Sequence, residues 1–169
     1  MPNPNLNLKI GEGVGVVYRR SGMWVVHDGV LTSAIPNGNK PPSTVTIIHY
    51  LVNQSNGKLV RQNLTLHNVK QVLRTPSNPI FALKCPPTTN PNLHVGTPVV
   101  VKIRVKKSIS LPTGLDAKNG VLVCSLQNRL HPSGNVWINH WKLITPTSPR
   151  VFLTTTRYVN ALFVRQVTV

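Results

Sequence analysis

Residues 97–107 read TPVVVKIRVKK, the longest stretch of the chain that alternates with a period of two. That period puts successive side chains on opposite faces of a β-strand. Val101, Ile103 and Val105 then point into a core. Lys102, Arg104 and Lys106 form a row on the other face, with Lys107 at its end.

The same pattern recurs on both sides of this stretch. VGVVYRR (14–20) and MWVVHDGVLTSA (23–34) flank Ser21-Gly22, while STVTIIHYLV (43–52) and KLVRQNLTLHNV (58–69) flank Asn56-Gly57. Both dipeptides suit tight hairpin turns. GVLVCSLQ (120–127) follows Asn119-Gly120, NVWINHWKLI (135–144) follows Ser133-Gly134, and RVFLTTTRYVNALFVRQVTV (150–169) closes the chain. IFALKC (80–85) is a short apolar run stopped by Pro86-Pro87. No segment repeats its apolar residues at helical spacing over three turns. Residues 67–74 could form one helical turn, and residues 158–164 a short helix. Short strands separated by turn signals predict an all-β antiparallel barrel or sandwich. The sequence shows no repeat of fixed period. It reads as a single domain over 1–169, and if it divides into sub-barrels these are 1–86 and 97–169, with the linker-like PPTTNPNLHVG (86–96) between them.

The charge balance is extreme. Nineteen Lys and Arg face only Glu12, Asp28 and Asp116, for a net charge of +16 over 169 residues. Most cations can have no internal partner, and their mutual repulsion is relieved by a polyanion. Lys102, Arg104, Lys106 and Lys107 are the best-defined candidates for phosphate contacts. Arg19, Arg20, Lys58 and Arg61 join them as candidate nucleic-acid-binding residues. Lys70, Arg74, Lys142, Arg157 and Arg165 could extend that surface. Tyr18, Trp24, Tyr50, Trp137, Trp141 and Tyr158 lie near these cations in sequence, and such rings can stack on unpaired bases. Trp137 and Trp141 share one strand face with Asn139, a spacing that favours packing against a second layer.

Reaction chemistry has little to build on. The carboxylates are far apart in sequence, and none of the six histidines falls into an HxH or HExxH pattern. No Gly-rich phosphate loop leads into a helix. Cys124 with His27 or His49 is the one conceivable nucleophile pair. No stretch is long and apolar enough to span a bilayer, and the first residues lack the form of a signal peptide. Cys85 and Cys124 could form one disulfide, but for an intracellular chain two free thiols are the stronger expectation.

One resemblance bears on the fold. VLTSA (30–34) resembles the VLTAAH segment of chymotrypsin-like proteases, with Ile35 at the histidine position. Calicivirus cysteine proteases have a similar run continuing as Ile35, Pro36 and Gly38 do here. NPIFALKC (78–85) is similar to the family's NDIALLKL, with Pro79 where the catalytic aspartate stands. HVGTPVVVKI (94–103) resembles the entry into the second barrel, and HPSGN (131–135) matches the GDSGG motif at Ser133 and Gly134 only. The resemblance implies a chymotrypsin-like double barrel without its triad, since isoleucine and proline perform no acid–base chemistry. Alphavirus capsid proteins use the same scaffold. A single eight-stranded viral jelly roll is the competing architecture.

The expectation is therefore a non-enzymatic RNA-binding structural protein, of viral coat or nucleocapsid type, without cofactor or metal. It would form homo-oligomers and reside in the virion or host cytoplasm. A viral chymotrypsin-like cysteine protease or protease-derived scaffold, and a host-directed interaction protein of silencing-suppressor or movement type, are the alternatives.

Overall fold

A computed structural model describes residues 7–36, 40–127, 130–132 and 134–169. Gly38 and Ser133 of the protease-like motifs lie outside the described residues. The strands are β1 (Gly13–Arg20), β2 (Met23–Leu31), β3 (Thr44–Val52), β4 (Leu59–His67), β5 (Val69–Arg74), β6 (Pro98–Arg104), β7 (Leu115–Leu122), β8 (Val136–Leu143), β9 (Val151–Tyr158) and β10 (Ala161–Gln166). No helix occurs among the described residues. The strands form two five-stranded antiparallel sheets, ordered β4-β3-β2-β1-β5 and β10-β6-β7-β8-β9, and neither closes into a barrel.

The second sheet repeats the first, with β6 to β10 in the places of β1 to β5. The registers repeat as well. Val30 and Leu31 pair with Ile48 and Ile47, as Val121 and Leu122 pair with Asn139 and Ile138. Gly15 lies opposite Asp28 as Val100 lies opposite Asn119. Leu8 bridges Ile35 as Leu93 bridges Leu126. The N–H groups of Gly11 and Gly96 donate to the carbonyls of Leu31 and Leu122, both at 2.9 Å. These two glycines share a left-handed backbone, with φ of 91° and 92°, which only glycine adopts without strain.

The cores follow the same plan. Leu8, Val14, Val16, Leu31, Ile35, Val45 and Ile47 pack together in the first half. Leu93, Val99, Val101, Leu122, Leu126, Val136 and Ile138 take the equivalent places in the second. The halves repeat in structure although the sequence has no repeat of fixed period. The period is not fixed because Ser21-Gly22 alone joins β1 to β2, whereas residues 105–114 separate β6 from β7. That insertion shifts the frame in the middle of the repeat.

The halves meet about an approximate two-fold axis. The Tyr50 N–H donates to Asn119 Oδ1, and Asn119 Nδ2 donates to the Tyr50 carbonyl, both at 2.9 Å. Reciprocally, the Trp141 N–H donates to Asp28 Oδ1 at 3.0 Å. Equivalent positions contacting each other's equivalents define an isologous interface. Val30, Ile48, Tyr50, Val100 and Val167 form its apolar part. The run Val99-Val100-Val101 is thus buried on both faces: Val99 and Val101 in their own half, Val100 against the other. Trp141 packs over Gly15 of the opposite half, where a Cβ would strike its indole ring.

Several boundaries differ from the sequence reading. The strand of 97–107 ends at Arg104, because the Val105 N–H turns to the Gly114 carbonyl at 2.9 Å. Residues 67–74 and 158–164 contain no helical turn. They hold β5 and the start of β10, which return the chain to hydrogen-bond with β1 and β6.

Asn119-Gly120 is not a turn but the middle of β7. A Cβ on Gly120 would lie 2.6 Å from the Asn139 carbonyl oxygen, and one on Gly29, its equivalent, 2.7 Å from that of Ile48. Those oxygens belong to paired strands and cannot move aside. Gly120→Ala is therefore expected to destabilise by about 1–3 kcal/mol. A guanidinium unfolding midpoint equal to that of the unchanged protein would contradict this.

The chain between β5 and β6 holds no strand, since Pro76, Pro79, Pro86 and Pro87 lack the N–H a ladder requires. It is tied instead to the second half. The fully buried Asn139 donates from Nδ2 to the carbonyls of Pro76 and Asn78 at 2.8 and 2.7 Å. The Ile80 N–H donates to Thr155 Oγ1 at 3.1 Å. Cys85 on this connection is joined to Cys124, just past β7, in a disulfide with Cα atoms 5.4 Å apart. The expectation of two free thiols is corrected: the connection crosses the end of β7 and brings the sulfurs together.

Candidate nucleic-acid interface

All three acids are engaged within the fold. Glu12 pairs with Arg74 at 2.8 Å and Asp116 with Lys118 at 3.4 Å. Asp28 points into the seam between the halves. No other Lys or Arg is ion-paired among the described residues.

Lys102 projects from the face of β6 that also carries Val100, and it is half-buried. Its Nζ lies 5.4 Å from the centre of the Phe163 ring on β10. Arg165, two residues further along β10, has its Cζ 5.9 Å from the same ring and 6.0 Å from that of Tyr50. Tyr50 on β3 stands opposite Arg61 on β4. Arg61 Nη1 donates to the Thr168 carbonyl of the other half at 2.6 Å. Cations and rings from both halves therefore interleave along the seam. The rings hold the cations through their π faces without neutralising them.

Arg104 is exposed at the end of β6, its backbone bonded to Asn160 in both directions, N–H to O at 3.1 Å and Asn160 Nδ2 to the Arg104 carbonyl at 2.5 Å. Lys106 and Lys107 lie beyond the strand on the 105–114 connection, both exposed. Their row does not continue in register with Lys102 and Arg104, because the strand has ended. The β3–β4 hairpin, which carries exposed Lys58, docks on that same connection. Gln54 Oε1 accepts from the Thr113 N–H at 3.2 Å and from Thr113 Oγ1 at 2.5 Å, and Gln54 Nε2 donates to the Leu115 carbonyl at 3.0 Å. Six of the eight candidate cations, Lys58, Arg61, Lys102, Arg104, Lys106 and Lys107, thus sit on elements in mutual contact.

Arg19 and Arg20 do not join them. They end β1, where Arg19 occupies the place equivalent to Arg104. The Arg19 guanidinium lies 5.2 Å from the centre of the Trp24 ring and donates to the Gly22 carbonyl at 3.4 Å. Phe163 is the member of the seam that sequence reasoning missed. Alternation in ALFVRQ places it on the same face as Arg165, and that was the available signal.

The chemistry of other polar groups is set by burial. Desolvation lowers the His27 imidazole to about 4, with the nearby His49 and Arg20 charges adding. Desolvation lowers His49 and takes His140 to about 4, Lys142 and Lys118 contributing to the latter. Burial also pushes the Asp28 carboxyl up to about 8, although the Trp141 N–H partly offsets it. Asp28 keeps some accessible surface but is enclosed by a dense shell of protein atoms, and that enclosure governs its charge. Cys124 is a disulfide partner with 1% exposure, so it has no thiolate to offer. The pairing of Cys124 with His27 or His49 as a nucleophile is thereby corrected. No group of three or more potential metal ligands occurs among the described residues. Among the described residues no helix is long and apolar enough to cross a membrane.

No protein-family model, no curated protein and no solved structure matches the chain.

Proposed function

We propose that the protein is a non-enzymatic RNA-binding structural protein, of the kind that coats a viral genome and assembles with copies of itself. The observation that carries this reading is the seam of Lys102, Arg165 and Arg61, with Phe163 and Tyr50 between them and no carboxylate to answer them. Cations held in place but left unneutralised suit phosphates, and the half-buried Phe163 ring suits an unpaired base. Lys58, Arg104, Lys106 and Lys107 extend the same surface. Repeated halves favour a paired architecture over a single eight-stranded jelly roll, although neither sheet closes into the barrel that the protease resemblance implies. The Cys85–Cys124 disulfide suits a particle that meets an oxidising environment.

The affinity of the protein for a generic single-stranded RNA is expected to fall linearly on a log–log plot against salt. Each phosphate neutralised contributes a slope of about −0.7. Fluorescence anisotropy between 50 and 300 mM salt (roughly the range over which phosphate contacts dominate) measures it. An affinity indifferent to salt would remove the reading.

A further inference from the structure

On four adjacent strands of the first sheet the inward-facing row changes chemistry at the same level. On β1, Val14 and Val16 give way to Tyr18 and Arg20. On β2, Leu31 and Gly29 give way to His27. Val45 and Ile47 on β3 lead to His49, and Leu66 and Leu64 on β4 lead to Gln62. Above that level the half opens into a cleft of about 620 Å³, walled also by Arg19 and His67. This is a normal size for a small-molecule or single-nucleotide site.

The floor of the cleft is a ladder of rings. Tyr18 and His27 have centroids 5.6 Å apart, and His27 and His49 5.2 Å apart. Burial favours the neutral form of both imidazoles. A neutral imidazole presents one N–H donor and one bare nitrogen acceptor, and the Gln62 amide, itself hydrogen-bonded to His49, adds its remaining donor and acceptor capacity. The cleft therefore offers flat rings, mixed donors and acceptors, and two guanidinium groups at its rim.

The second half serves as an internal comparison. There, Ile103, Val105, Lys118, Thr154 and Val159 stand where Tyr18, Arg20, His27, Gln62 and His67 stand in the first. Of the cleft's residues, His49 has its like in His140 and Arg19 in Arg104. The ring ladder and the Arg20 rim belong to one half of a fold that otherwise repeats itself. Folding alone does not call for them, because the other half packs the same core without them.

We propose that this cleft takes one unpaired nucleotide, its base lying on the Tyr18–His27–His49 rings and its phosphate on Arg19 and Arg20. The inference rests on the RNA-binding reading and deepens it, adding an enclosed base-holding site apart from the seam. Aromatic stacking tolerates any base, while the mixed donors and acceptors favour some base edges over others.

The probe is adenosine 5′-monophosphate, with inorganic phosphate as its control, followed through the imidazole C–H resonances of the unmodified protein. The nucleotide is expected to shift the His27 and His49 resonances, and phosphate to leave them in place. His27→Leu with His49→Leu is expected to weaken nucleotide binding at least tenfold while leaving the salt slope for long RNA unchanged. Resonances that ignore the nucleotide, or that respond equally to phosphate, would overturn the inference. RNA binding with a steep salt slope but silent imidazoles removes the cleft and keeps the seam. Responsive imidazoles with salt-indifferent RNA binding keep the cleft and remove the seam.

Discussion

Replacing Asp28 with asparagine is expected to stabilise the protein, and to do so far more at pH 9 than at pH 5. The Asp28 carboxyl is raised from 3.8 to about 8 by burial. Between those values the unfolded chain releases the proton and the folded chain keeps it. The folded state then binds more protons than the unfolded one, so stability falls as pH rises through that window. Each unit is worth about 1.4 kcal/mol, which sets a ceiling of about 4 kcal/mol on the difference between the two pH values.

An asparagine would carry no such penalty, and the structure already contains its template. Asn119, the two-fold equivalent of Asp28, both accepts from and donates to the Tyr50 backbone. An amide in place of the Asp28 carboxyl can treat Trp141 the same way. Other titrating groups around the seam do not confuse the comparison. His27, lowered to about 4, costs stability as pH falls below 6.5, but it is present in both proteins. Tyr158, raised to about 12 by burial and then by the Asp28 and Asp116 charges, titrates above the range used. Thermal midpoints of the two proteins at pH 5 and pH 9 decide the matter. A gain no larger at pH 9 than at pH 5 would contradict the buried, proton-holding carboxyl.

Opening the disulfide is expected to have an effect of similar size. Cys85 and Cys124 are 39 residues apart in sequence, and closing a loop of that length restricts the unfolded chain by about 4 kcal/mol in the loop-entropy account. Cys85→Ser with Cys124→Ser should lower the guanidinium midpoint and hasten proteolysis within residues 76–92. Asn139 and Thr155 would still hold that connection near its start, and the Thr88 hydroxyl would still reach the Ser125 carbonyl at 3.4 Å. The equivalent of Cys124 in the first half is Ser33, adjacent to Thr32 whose N–H bonds the Thr46 carbonyl as that of Val123 bonds Trp137. An equal midpoint with and without reductant would show that the crossing is held by packing alone.

Strand alternation was legible because burial on one face imposes it. TPVVVKIRVKK placed Val101 and Ile103 in the core and Lys102 and Arg104 opposite them, as the structure has them. The repeat was not legible, because it resides in inward residues such as Val14 and Val99 while the connections between them differ in length. Asn119-Gly120 misled because the same dipeptide suits a turn and a close backbone approach. The gathering of Lys58 and Arg61 with Lys102 was beyond reach. It depends on how the β3–β4 hairpin docks on the 105–114 connection, a contact between residues far apart in sequence. The extreme charge was plain from composition, but which cations share a surface is a property of the seam.

The central claim is that the seam between the halves meets phosphates. Its most direct measurement is the salt dependence of single-stranded RNA affinity for Lys102→Ala with Arg165→Ala beside the unmodified protein. Losing two phosphate contacts should make the slope shallower by about 1.4. Identical slopes for the two proteins would contradict the claim.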